Sequence, residues 1–208
     1  MVLIFSGATS LRPPAGGGTG DASDTYWRSL FYFNTYRTVV AVVLAAVFLL
    51  FGERLAFGSS SPVLYQYFSG GYVLLSALWF ALIAARRHFH LQLGLQVGAD
   101  ILFIVVMMYA SGGISSGLGL LLLSALAAAG LISRGRLTLF YAALASIAVL
   151  IEQTMQVLVH GAPITQYVQA GFLSIGYFAT AWVAHTLAKY LVATERLAAQ
   201  REIDLASM

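Results

Sequence analysis

Six runs of predominantly apolar residues, at about 37–57, 65–85, 91–110, 115–133, 137–159 and 167–188, each approach the roughly 20 residues that a helix needs to cross a bilayer. No other feature limits the fold as strongly. Inside lipid, every backbone N–H and C=O must be satisfied within the protein, so runs of this length fold as helices. The connections between them are short. Ser59-Ser60-Ser61-Pro62 turns the chain between the first two runs, Ser111-Gly112-Gly113 between the third and fourth, and His160-Gly161-Ala162-Pro163 between the last two. Only 9% of residues are charged, against about 25% in soluble domains. The expected fold is all-α: a polytopic membrane protein, a bundle of six transmembrane helices.

Ten of the eleven Lys and Arg residues fall on one side of such a bundle. They are Arg12, Arg28, Arg37, Arg86, Arg87, Arg134, Arg136, Lys189, Arg196 and Arg201, and Arg54 alone lies opposite. The positive-inside rule then makes both termini cytoplasmic. This reading starts the first span at Arg37 and lays the aromatic segment Tyr26–Tyr36 on the inner leaflet as an interfacial helix. Residues 1–25, with Arg12-Pro13-Pro14-Ala15-Gly16-Gly17-Gly18, read as a disordered cytoplasmic tail rather than a cleaved signal. Residues 26–188 form the six-helix domain. From Lys189 the chain turns polar but stays helix-prone, with Leu191, Ala198 and Leu205 seven apart. Residues 189–208 are expected to be a cytoplasmic exit helix, and the natural chain to continue beyond it.

Several chemistries are excluded. There is no cysteine, which removes disulfides and thiolate chemistry. The net charge of +3 comes from short clusters at span ends, which suits acidic lipid headgroups and not nucleic acid. No phosphate-binding loop occurs. His88, His90, His160 and His185 are scattered, so no metal site is expected. Gly113-Ile114-Ser115-Ser116-Gly117 and His185 raise a serine–histidine protease of the rhomboid kind. The serines, however, sit at the outer face and His185 lies about 27 Å further down its helix, while nucleophile and base must come within about 3 Å. A small six-helix transporter or channel is the alternative, although the glycine-rich break after the third span has no counterpart in the sixth.

Two carboxylates fall inside spans, Asp100 and Glu152, and such groups need partners. Gln92, Gln96 and Asp100 are spaced by four and form one polar stripe; Glu152 and Gln156 form another. Their depths from the cytoplasmic edge, about 13 Å for Asp100 and 22 Å for Glu152, keep the two acids apart. These five residues are candidates for helix–helix recognition, within the bundle or with a foreign helix. Gly94 and Gly98 make a G-x-x-x-G expected to pack closely on a neighbouring helix. Gly113 and Gly117 repeat the spacing in a turn, where flexibility is the expected role.

The stretch Asp100-Ile101-Leu102 through Tyr109-Ala110-Ser111-Gly112-Gly113-Ile114-Ser115-Ser116-Gly117-Leu118-Gly119, then Leu131-Ile132-Ser133-Arg134-Gly135-Arg136, resembles the membrane region of PilS-type sensor histidine kinases. Tyr32-Phe33-Asn34-Thr35-Tyr36-Arg37, Tyr167-Val168-Gln169-Ala170-Gly171 and Thr194-Glu195-Arg196-Leu197-Ala198 are similar to the same family. The resemblance implies an inner-membrane sensor of a bacterial two-component system controlling type IV pilus genes. It implies a homodimer whose later PAS domain and kinase core, using ATP and Mg, phosphorylate a PilR-type response regulator. This chain carries no catalytic residue and no cofactor site of its own. The implied input is the pilin transmembrane helix, which carries an acidic residue near its start. The resemblance assigns no contact residues; the polar stripes Gln92, Gln96, Asp100, Glu152 and Gln156 are our own expectation for the recognition surface, with the sixth span carrying the change onward.

Overall fold

A computed structural model describes residues 20–52, 57–85, 89–133 and 135–206. Residues 1–19 of the expected tail, together with Arg54, Arg86, Arg87, His88 and Arg134, lie outside them. Among the described residues there are six α-helices: α1 (Gly20–Phe51), α2 (Pro62–Ala84), α3 (Phe89–Ala110), α4 (Leu121–Ile132), α5 (Gly135–His160) and α6 (Gln166–Ala206). The fold is an all-α, multi-pass membrane bundle. Four helices have a segment long and apolar enough to cross unaided: Trp27–Phe51, Pro62–Ala84, Leu91–Ala110 and Arg136–His160.

Two boundaries differ from expectation. Residues 20–25 are helical, and the expected interfacial helix before the first span is continuous with it, so α1 enters the apolar layer about ten residues earlier than Arg37. Phe31, Tyr32 and Tyr36 are exposed, as anchors at a membrane edge would be, but Leu30 and Phe33 on the same helix are buried in the bundle. Arg37 therefore moves from the cytoplasmic edge into the span. The fourth element is also broken. It begins as two 3-10 turns, Gly113–Ser116 and Leu118–Leu120, and only then becomes the 12-residue α4. A 3-10 turn rises about 2 Å per residue against 1.5 Å in an α-helix, so the continuous stretch Leu118–Ile132 covers roughly 24 Å, less than the other spans.

Glycine makes that break possible. Gly112, Gly113 and Gly117 all have φ between 74° and 82°, a region that side-chain-bearing residues rarely adopt. Gly113 is also closely packed, since a Cβ there would stand 3.0 Å from Gln156 Cγ, whereas a Cβ on Gly117 would meet nothing of the described residues within 4 Å. The carbonyl of Ala110, left open where α3 ends, accepts from the backbone N–H of Ser60 (2.9 Å) and Ser61 (3.0 Å). Ser61 then caps α2, accepting from Leu64 N–H at 3.4 Å, with Pro62 in the first turn.

α3 is the central helix. Half of its span is buried, against 28% for α1 and α2, and Leu93, Val97, Ile104, Met107 and Met108 supply that core. α6 lies against α4 and α5 and runs unbroken for 41 residues. Its approach to α4 is set by small residues: a Cβ on Gly130 would stand 2.8 Å from Ala184 Cβ, and one on Gly119 would stand 2.6 Å from Leu173 Cδ2. Tyr177 donates to the Gly119 carbonyl at 2.9 Å. In lipid, where apolar burial between helices gains little, such close backbone approach is a main source of cohesion.

Candidate functional site

Arg37 extends from α1 into the bundle and is 1% exposed, facing Asp100 of α3, which is fully buried. The guanidinium donates from Nε to Asp100 Oδ1 at 2.6 Å, and Nη2 lies 2.6 Å from the same oxygen. Nη1 donates to the Gln96 side-chain oxygen and Nη2 to the Gln96 carbonyl, both at 3.2 Å. Tyr72 of α2 donates its hydroxyl to Asp100 Oδ1 at 2.6 Å. The guanidinium also stands 5.6 Å from the Phe33 ring centre and 5.9 Å from that of Tyr72. One turn before Arg37, Asn34 donates to the Ser76 carbonyl of α2 at 3.0 Å. Three helices thus meet at one ion pair.

Depth explains why these residues find each other. Arg37 is ten residues from the start of its span at Trp27, about 15 Å in, and Asp100 is nine from Leu91, about 13 Å in. α1 and α3 run the same way through the layer, so the two charges arrive at one level. A lone charge there is costly, whereas the pair with added hydrogen bonds satisfies both groups. Sequence reasoning found Asp100 and Gln96 but missed Arg37, Tyr72, Asn34 and Ser76.

All five expected recognition residues are buried against the chain's own helices. Gln96 and Asp100 belong to the ion-pair cluster. Gln92 donates to the Leu82 carbonyl at 2.9 Å, and Gln156 to the Tyr109 carbonyl at 3.0 Å. Both therefore satisfy carbonyls near the ends of α2 and α3, which an apolar layer would leave stranded. Glu152, 4% exposed on α5, forms no ion pair among the described residues. Its neighbour Gln153 donates to Gln166 of α6 at 3.3 Å. The structure does not join the two acids: Asp100 is engaged by α1 and α2, and Glu152 stands apart on α5. In this arrangement none of the five is presented to a foreign helix.

The glycine pair divides. Gly94 packs under the Tyr141 hydroxyl of α5, where a Cβ would be 3.3 Å away, but among the described residues nothing lies within 4 Å of a Cβ on Gly98. Close packing through Gly98, expected from the sequence, is not seen among the described residues. Gly119, in the second 3-10 turn, and Gly130, in α4, do that work against α6. Among the described residues no group of three His, Asp or Glu could hold a metal ion.

The model of the PilS-like transmembrane domain matches residues 19–198. The chain belongs to this PilS-like family. The domain is also 30% identical, over 181 residues, to the sensor protein kinase PilS of Pseudomonas aeruginosa. That alignment covers 87% of this chain and 34% of the Pseudomonas protein, so the chain spans about a third of that relative's length. No solved structure matches. The stretch matched to the PilS-like domain includes the whole Arg37–Asp100 cluster and the start of the helix that leaves the bundle.

Proposed function

We propose that this chain is the signal-input module of a sensor histidine kinase controlling type IV pilus gene expression, set in the bacterial inner membrane with both termini cytoplasmic. The observation that carries the reading is the family membership over residues 19–198. The input is a membrane partner, pilin, detected by helix–helix contact. Its acidic residue competes with Asp100 for Arg37. That exchange loosens α1 from α3 and opens the polar faces of Gln92, Gln96 and Asp100, which Glu152 and Gln156 extend on α5. Glu152 suits this role because no cation of the described chain is paired with it. The partner has to bind the opened arrangement better than the closed one for the equilibrium to move.

The change reaches the output through α6, which leaves the bundle as one continuous helix. The homodimeric kinase core, with ATP and Mg, and its PilR-type response regulator belong to the same proposal. The test places Asp100→Asn and Arg37→Gln separately in the full-length sensor and reads a pilin-promoter reporter with pilin absent or overproduced. Compared at matched membrane abundance, both variants are expected to lose the dependence on pilin level. A normal pilin response in both would overturn the assignment of this cluster, and failure of photocrosslinks from α3 to pilin would overturn pilin as the input.

A further inference from the structure

Between the first turn of α5 and the far part of α6, Arg136, Leu139, Trp182, His185, Thr186 and Lys189 enclose a hollow of about 290 Å³. Its chemistry is graded along the membrane normal. Lys189 lies 23 residues after Gln166, about 35 Å along the helix, and so beyond the roughly 30 Å of hydrocarbon. Arg136, second residue of α5, sits at the same edge. One turn deeper are His185 and Thr186, and below them Trp182 and Leu139, which are 64% and 40% exposed. Cations at headgroup level, polar groups beneath and an open apolar floor match the cross-section of a single phospholipid.

We propose that this hollow binds an anionic phospholipid, with its phosphate between Arg136 and Lys189 and its acyl chain along Leu139 and Trp182. No acidic residue lines the hollow. Among the described residues neither cation forms an ion pair. The His185 Nδ1 is buried without a hydrogen-bond partner in the wall of the same hollow. Thr186 spends its proton on the Trp182 carbonyl, at 2.9 Å. The exposed indole argues for lipid over a soluble anion, because a free phosphate gains nothing from an apolar floor. A lipid held there bridges the start of α5 to the point where α6 leaves the membrane, so headgroup composition would bias the position of the exit helix. This inference is independent of what the sensor detects.

The test is native mass spectrometry of the purified chain in mild detergent, titrated with phosphatidylglycerol or phosphatidylcholine. Each basic residue near an anionic surface contributes about a factor of five, so R136Q/K189Q is expected to weaken phosphatidylglycerol binding about thirtyfold. R28Q, which removes an exposed cation on α1, should leave it unchanged, and R136K/K189R should restore it, which guards against misfolding. Equal binding of phosphatidylcholine, complete displacement by inorganic phosphate, or unaltered binding in R136Q/K189Q would each overturn the proposal.

Discussion

Replacing Arg37 by methionine keeps an unbranched apolar stem while removing every donor. Asp100 Oδ1 then loses Nε and Nη2, each at 2.6 Å, and keeps only the Tyr72 hydroxyl. Breaking a buried pair from one side costs about 3–5 kcal/mol. At roughly 2–4 °C per kcal/mol for a chain of this size, the midpoint should fall by about 6–20 °C. Asp100→Leu should cost more, because it strands a guanidinium that cannot shed its proton, with only the side-chain and backbone oxygens of Gln96 left to accept from it. The double variant R37M/D100L removes both charges and should recover to within about 2 kcal/mol of the parent, since well-packed apolar replacements of ion pairs are often neutral. The assay is thermal or SDS-induced unfolding in mild detergent, arranged as a double-mutant cycle. Single effects that simply add, with a coupling below about 0.6 kcal/mol, would refute the idea that one shared ion pair holds α1 to α3.

Gly130→Ala should destabilise by about 1–3 kcal/mol, because its new methyl meets Ala184 Cβ at 2.8 Å, whereas Gly98→Ala, which meets nothing, should be neutral or gain up to about 1 kcal/mol of helix propensity in the same unfolding assay. Glu152→Gln removes a buried acid that has no cation partner among the described residues and should leave the unfolding midpoint unchanged or raise it, by no more than about 2 kcal/mol in stability. Since the chain has no cysteine, single-cysteine variants report topology without background. Ser60→Cys should react with an impermeant maleimide in intact cells, and His88→Cys only after lysis.

The number and placement of most helices were legible because apolar run length is a direct consequence of bilayer thickness. The start of α1 was not. Tyr26, Trp27, Phe31 and Tyr32 have the composition of an interfacial belt, and only packing reveals that Leu30 and Phe33, between and beside them, face the core. That misplacement hid the ion pair, since Arg37 at a membrane edge needs no partner while Arg37 at mid-depth requires one. Matching depths along parallel helices would have exposed it: with α1 begun at Trp27, Arg37 and Asp100 fall within about one residue's rise of each other. The glutamines carried a second ambiguity. A four-residue spacing shows that Gln92 and Gln96 share a face, but it cannot separate an end-carbonyl cap from a recognition surface. Gly119 and Gly130 escaped notice because eleven-residue spacing across a 3-10 to α transition does not read as a helix-packing motif.

The contact between Gly130 and Ala184 offers a reference point for any tilt of α6. From Ala184 to Ala206 the helix extends 22 residues, about 33 Å, without an interruption at which bending would concentrate. A tilt of only about 10° around that point sweeps the far end through roughly 6 Å, more than the spacing of one helical turn. A shift inside the bundle too small to break its packing would then emerge at the far end of α6 as a displacement the size of a register change.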